Sequence, residues 1–271
     1  MASPIVSLQD LASLPNLVLL DARGSAEGYA AGHLRGAHHA HPDTTLSAAR
    51  DAGSDPARGG RHPLPPLERW TKQLGAWGIG PSSNVVVYDD QSGANAAARA
   101  WWMLRSVGHE RAFVLDGGLP ADVELTTDVP VVTPLPPYPA LAWLRPTVGI
   151  DDVERLRGDA AWRVLDVRSE PRFRGLTEPF DPIAGHIPGA VNLPFTANLE
   201  GGRFKSPDEL RAQYTALLGD VRPEHLVVHC GSGITACHTL LALEAAGLEG
   251  ASLYVGSWSE WCRDEERPRE P

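Results

Sequence analysis

Cys230 opens a loop whose residue types can do chemistry: Cys230-Gly231-Ser232-Gly233-Ile234-Thr235-Ala236-Cys237. A loop with two glycines and two hydroxyl residues can turn several backbone N–H groups inward. A helix following it adds partial positive charge. Both favour a thiolate over a thiol, and the thiolate is the nucleophile. Three chemistries compete. A cysteine phosphatase would close the loop with an arginine to clamp phosphate, but Ala236 stands there. A redox pair of Cys230 and Cys237 lacks the Cys-x-x-Cys spacing. Sulfur transfer through a persulfide on Cys230 remains.

The flanking segments must position that loop. Leu226-Val227-Val228 has the apolar character of a buried strand, and Leu240, Leu241, Leu243, Ala245 and Ala246 follow as a helix stopped by Gly247. A nucleophile at the carboxyl end of a strand, just before a helix, fits the active-site position of open α/β sheets.

The same series of elements occurs twice. Leu17–Leu20 ends in Asp21-Ala22-Arg23, and Trp162–Leu165 ends in Asp166-Val167-Arg168. Gly32-His33-Leu34-Arg35-Gly36-Ala37 returns as Gly185-His186-Ile187-Pro188-Gly189-Ala190, and the helical spacing of Leu67, Trp70, Leu74 and Trp77 matches Leu210, Tyr214 and Leu217. Val85–Asp89 matches Leu226–Cys230, and Val114–Leu119 matches Leu253–Trp258. Strands alternating with helices predict two tandem α/β domains, each a mostly parallel sheet flanked by helices. Seven prolines between Pro120 and Pro146 predict an extended connection. The expected division is a first domain over 1–122, a linker over 123–146 and a catalytic domain over 147–271. Residues 41–66, rich in Pro, Gly, Asp and Arg, read as surface loop. Asp89 stands where Cys230 stands in the second half, so only the second half carries the nucleophile.

A net charge of −10, from 34 acidic and 24 basic residues, argues against a nucleic-acid partner. Three cysteines make no disulfide framework and fit a reducing compartment. The amino terminus lacks the features of a signal peptide, and no apolar run suits a membrane span. The expectation is a cytoplasmic protein with no membrane partner.

These motifs, with Gly256-Ser257-Trp258-Ser259-Glu260-Trp261 and Arg99-Ala100-Trp101-Trp102-Met103-Leu104, resemble the tandem rhodanese-like sulfurtransferases over about residues 17 to 261. In that family a Cys-Gly-Ser-Gly loop goes with 3-mercaptopyruvate as donor and Cys-Arg-Lys-Gly with thiosulfate. The residues point the same way: uncharged Gly231 and Ser232 make a poorer trap for a dianion. The resemblance implies no cofactor and no metal. It implies a small-molecule donor, 3-mercaptopyruvate or alternatively thiosulfate, and a thiol acceptor such as thioredoxin or glutathione, or cyanide. A persulfide carrier without turnover of a free donor is the reading from another class.

The resemblance also assigns roles. Cys230 carries the sulfur, Ser232 is an acid–base hydroxyl, and His33 helps to orient it, although the equivalent position of His186 gives His33 the alternative reading of a turn-stabilising residue. Gly231, Gly233, Ile234 and Thr235 shape the substrate loop, with Arg172 and Arg174 beside it. A second family arginine usually precedes Gly-His-Ile-Pro-Gly, but Pro179-Phe180-Asp181-Pro182-Ile183 stands here. Arg172 is therefore expected to hold most of the donor carboxylate alone. Asp21, Arg23, Asp166 and Arg168 read as strand-end structure. Trp258, Trp261, His229 and His238 read as packing. Arg99 is either a buried ion-pair member or a cleft lip, and Cys262 an incidental thiol beside a charged tail.

Overall fold

The structure, a computed structural model, describes residues 3–94 and 96–271. In the first half, β1 (Ile5–Val6), β2 (Leu17–Asp21), β3 (Ala37–His39), β4 (Asn84–Tyr88) and β5 (Ala112–Leu115) form one sheet in the order β1-β5-β4-β2-β3. Each of its ladders is parallel. In the second half, β6 (Thr147–Val148), β7 (Arg163–Asp166), β8 (Val191–Asn192), β9 (Leu226–His229) and β10 (Ser252–Tyr254) form a sheet in the order β6-β10-β9-β7-β8, again all parallel. Relabelled from its own first strand, the second order equals the first. The duplication read from sequence is thus a duplication of topology.

The helices of the first half are α1 (Ala26–Ala31), α2 (Leu67–Ala76) and α3 (Ala97–Ser106). Those of the second are α4 (Ile150–Leu156), α5 (Glu170–Phe173), α6 (Pro207–Leu218), α7 (Ala236–Ala245) and α8 (Ser257–Trp261). Trp70 and Leu74 of α2 lie buried one turn apart, as an amphipathic helix requires. In α7 eight of ten residues are buried, so this helix is apolar on nearly every side and packs centrally. Leu8–Ser13 forms a 3-10 helix with Ser7 as its N-cap residue. Asp10 accepts from the Ser7 amide and hydroxyl, and so takes over the capping.

The chain divides into two compact units, one of residues 1–48, 64–144 and 202–204, the other of 49–63, 145–201 and 205–271. The proline-rich segment runs along the first unit, where the amides of Leu135, Tyr138 and Leu144 donate to the carbonyls of Gly75, Thr71 and Ser106. The loop 49–63, placed by sequence in the first domain, belongs to the second unit. Arg99 is fully buried inside α3 and lines no cleft lip. Cys262 is buried in the core of the second unit with Trp258 and Trp261.

Each unit secures the end of its second strand in the same way. Arg23 wraps back onto Asp21, with Nη2 2.6 Å from the carboxylate and 2.7 Å from the Gly32 carbonyl. Arg168 repeats this on Asp166 and the Gly185 carbonyl, at 2.7 Å each. The glycine that follows each histidine turn, Gly36 or Gly189, has φ near +80° (82° and 81°), a conformation that favours glycine. Removing one partner of such a buried pair strands the other charge. Asp21→Ala should therefore cost the first unit about 3–5 kcal/mol in a urea titration; a loss under about 1 kcal/mol would mean the pair does not secure this strand end.

Candidate active site

The second sheet builds the site at the carboxyl end of its central strand. The register pairs His229 of β9 with Asp166 of β7, so Cys230 emerges beside the Asp166–Arg168 turn. The Cys230 sulfur accepts the amides of Ser232 at 3.4 Å and Gly233 at 3.1 Å. The loop curls around its own nucleophile. That curl needs Gly233: its φ is +76°, and a methyl there would sit 2.4 Å from the Val255 carbonyl oxygen. Cys230 is only 3% exposed, which leaves the sulfur a narrow approach.

The Gly256–Trp261 segment forms the floor of the loop. Ser257 adopts φ +54°, a left-handed conformation costly for a residue with a side chain. Its hydroxyl accepts from the Cys230 amide at 3.2 Å and donates to the Tyr254 carbonyl at 2.9 Å. The Trp258 and Ser259 amides donate to the carbonyls of Cys230 and Gly231. Sequence reasoning gave Ser257 no role, although it stands where Gly118 (φ +71°) serves the first unit.

Ser232 is 7% exposed, and within its unit, among the described residues, its hydroxyl takes no hydrogen-bond partner. Ile234 lines the loop, and Thr235 precedes α7 as its N-terminal cap residue. Cys237 is buried in α7, its thiol directed at the Gly233 carbonyl, and among the described residues no disulfide joins the three cysteines.

A chain of ion pairs lies beside the loop. Arg172 donates from Nη2 to Glu178 at 2.7 Å and lies 3.9 Å from Asp181. Arg168 shares Glu178 at 3.1 Å, and Arg263 meets Asp181 at 2.8 Å. Arg61, from the loop read as featureless surface, joins the chain through Asp181 at 3.1 Å. A methyl placed on Gly231 would lie 3.0 Å from Arg172 Nη2 and 3.1 Å from Arg61 Nη2. Two guanidiniums thus flank the loop, Arg172 as expected and Arg61 in place of Arg174. Gly231 and Ser232 carry no charge themselves, but Arg172 and Arg61, from elsewhere in the fold, bring positive charge beside Gly231. Arg174 points away, 66% exposed and ion-paired to Glu170 four residues earlier, and is not brought to Cys230.

Burial would raise the Asp166 carboxyl, but the charges of His229 and Arg168 outweigh it and hold the group below its ordinary value. Burial drives His229 itself below its ordinary value, so at neutral pH the charge on Asp166 is met by Arg168. Burial likewise pushes the Cys262 thiol up, which keeps it inert.

The ring of His33 stacks on Tyr29 at 4.0 Å, with Nδ1 3.0 Å from the Tyr29 carbonyl and Nε2 3.1 Å from that of Asp128. His186 repeats the arrangement, stacked on Phe173 at 3.8 Å with Nδ1 2.9 Å from its carbonyl. The His33 nitrogens, expected to orient Ser232, are thus directed at first-unit carbonyls, and its geometry is that of a turn anchor. In the first unit the equivalent of the cysteine loop holds an anion of its own. Asp89 accepts the amides of Gln91, Gly93, Ala96 and Ala97 at 2.8–3.0 Å. Burial raises this carboxyl above its ordinary value against the opposing pull of those amides.

A model of the rhodanese-like domain matches residues 6–124 and again 150–264. The chain belongs to the rhodanese-like family. It is 40% identical over 285 residues to the probable 3-mercaptopyruvate sulfurtransferase of Pseudomonas aeruginosa, covering 98% of each chain. The 3-mercaptopyruvate sulfurtransferase of Escherichia coli K12 is 32% identical, over 95% of this chain and 93% of that one. A putative thiosulfate sulfurtransferase, SseB of Mycobacterium tuberculosis, is 37% identical over 92% and 87%. Among solved structures, the 3-mercaptopyruvate sulfurtransferase from Leishmania major superposes with a TM-score of 0.79 at 30% identity, over 95% of this chain and 74% of that one. The rhodanese-like protein is a sulfurtransferase, an enzyme with two tandem rhodanese domains. Among the described residues no helix is long and apolar enough to cross a membrane.

The curl of the loop gives a direct prediction. Gly233→Ala forces the backbone away from Val255 at a cost of about 1–3 kcal/mol and turns the amides off the sulfur. Iodoacetamide should then alkylate Cys230 about tenfold more slowly at neutral pH, with little change in the melting of the first unit. An unchanged alkylation rate would mean that the amides do not govern the reactivity of the sulfur.

Proposed function

We propose that this sulfurtransferase takes its sulfur from 3-mercaptopyruvate and carries it as a persulfide on Cys230. The observation that supports this most is the pair of amides aimed at the Cys230 sulfur, with the Arg172 guanidinium across Gly231. The Cys230 thiolate attacks the donor sulfur, and the carbon–sulfur bond breaks with its electron pair passing to carbon. The resulting enolate takes up the proton that the donor thiol gives up, and leaves as pyruvate. Cys230 is left as the persulfide anion.

In this reading the Ser232 hydroxyl, poised without a partner in its unit, relays that proton. The Ser232 and Gly233 amides hold the negative charge while it lies on the Cys230 sulfur. Arg172, kept in place by Glu178, binds the donor carboxylate. A thiol acceptor, such as glutathione or thioredoxin, then attacks the outer sulfur. It leaves as a persulfide, gives up its proton and restores the Cys230 thiolate; cyanide leaves as thiocyanate. His33 enters the cycle only as a support of the fold. The relatives named 3-mercaptopyruvate sulfurtransferase support this donor.

Thiosulfate is the second reading. The two guanidiniums beside Gly231 favour it, as does the relative named a putative thiosulfate sulfurtransferase. The test is a paired steady-state assay with cyanide as acceptor. Mercaptopyruvate should show the higher kcat/KM; a preference for thiosulfate would transfer the proposal to that donor. Cys230→Ser should abolish transfer from both, whereas Cys237→Ser, whose thiol bonds a carbonyl in the buried helix, should keep most of it.

A second expectation concerns the loop. Replacing Gly231-Ser232 by Arg-Lys puts a side chain where Arg172 and Arg61 already stand, about 3 Å from each nitrogen. The double variant should lose activity toward mercaptopyruvate, both by displacing them and by removing the Ser232 hydroxyl. A gain in mercaptopyruvate kcat/KM would show that this space is empty when substrate binds.

A further inference from the structure

We propose that Arg61 is a specificity residue of this site. It would supply the second guanidinium that binds the carboxylate of the sulfur donor, a role that deepens the reading of a carboxylate-bearing donor at Cys230 and rests on it. Three observations converge. Arg61 belongs to the compact unit that holds Cys230, although it lies far ahead of that unit's first strand at Thr147. Its Nη2 lies as close to the Gly231 side-chain position as Arg172 Nη2 does, 3.1 against 3.0 Å. Its Nε and Nη2 are held by Asp181, whereas Nη1 has no partner among the described residues. Arg172 has the same arrangement, Nε and Nη2 held by Glu178 and Nη1 left over. Each guanidinium is oriented by a carboxylate and keeps N–H groups for a further anion beside the sulfur loop.

The backbone is built to deliver Arg61 there. Gly59 and Gly60 both have positive φ, +99° and +80°, and a methyl on Gly60 would lie 2.3 Å from the Gly256 carbonyl oxygen. The Gly59 amide donates to Glu260 at 2.7 Å, and the Arg61 amide to the Ser259 hydroxyl at 3.0 Å. The segment that floors the cysteine loop therefore fixes Arg61 as well.

Phe180 completes the assembly. It stands in the stretch where an arginine is expected from the family resemblance, and both guanidiniums lie over its ring, Arg61 at 5.4 Å and Arg172 at 5.1 Å. The ring steadies two like charges side by side while Asp181 and Glu178 offset them. The charge absent at 180 is restored from residue 61.

The test is made on the full chain with mercaptopyruvate and with mercaptoacetone, the ketone that lacks the carboxylate. Arg61→Gln should raise KM for mercaptopyruvate about tenfold or more, so that preference over mercaptoacetone falls by a similar factor. Arg61→Lys should recover part of that loss, because a point charge lacks the two-pronged geometry. Phe180→Arg in the Arg61→Gln background should recover more. A KM within about twofold of wild type for Arg61→Gln, or an equal loss with both donors, would overturn the assignment. Protection of Cys230 from iodoacetamide by pyruvate reads the same subsite without turnover. If wild type turns over no mercaptopyruvate, the donor proposal falls. In that case pyruvate protection weakened about tenfold by Arg61→Gln still supports the carboxylate subsite, and protection equal in the two proteins overturns it.

Discussion

Two backbone amides pointed at one sulfur atom set the terms for the rest of the second unit. A thiolate buried at a strand end needs donors, and here they come from the two residues that follow it within three positions. So tight a curl leaves no room for a side chain at Gly233, brings the Val255 carbonyl against it, and requires a floor that bonds the loop from below. Ser257 provides part of that floor at the cost of a left-handed backbone, offset by its two hydrogen bonds. The first unit solves the same problem with Asp89, whose carboxylate fills its amide cradle from within. One fold thus carries an amide cradle filled by its own carboxyl group and one that holds a nucleophile, with Asp89 in the place of Cys230.

Charge around the sulfur is organised by linked pairs. Arg61, Arg168, Arg172 and Arg263 share the carboxylates of Asp166, Glu178 and Asp181. Removing charges from water is costly, and the pairing offsets that cost while fixing where each guanidinium points. The acids therefore act as orienting groups. They hold two arginines at the loop with N–H groups to spare, an arrangement that suits an anionic donor and the negative charge that moves between sulfur and carbon.

Much of this was legible in the chain because it is local or repeated. The strand before Cys230, the helix after it, the paired Asp-x-Arg and Gly-His turns and the substitution by Asp89 follow from patterns a few residues long, and the likeness of the two sheets follows from their repetition. What escaped depends on distance in sequence. Arg61 sits in a stretch whose Pro, Gly and Asp content signals loop, and nothing local says that the loop packs against Ser259 and Glu260 two hundred residues on. Gly59-Gly60 before an arginine was the available signal, since paired glycines mark a close backbone approach. Arg174 was expected at the site by its nearness to Arg172. On α5 and its cap, however, it falls one turn from Glu170 and pairs with it in solvent. His33 had a family role and a turn role open to it; its twin His186 pointed to the turn, and its bonds to the Tyr29 and Asp128 carbonyls fit that reading. Cys262, read as incidental, is a buried core residue beside Trp258 and Trp261.

The account stands on Cys230 as the atom that carries sulfur between donor and acceptor. Its most direct test is the intact mass of the protein after brief exposure to mercaptopyruvate without acceptor, followed by peptide mapping under non-reducing conditions. The account predicts one added sulfur atom per chain, located on Cys230 and discharged by cyanide. An added sulfur on Cys237 or Cys262, or pyruvate released with no mass gain at Cys230, would contradict it.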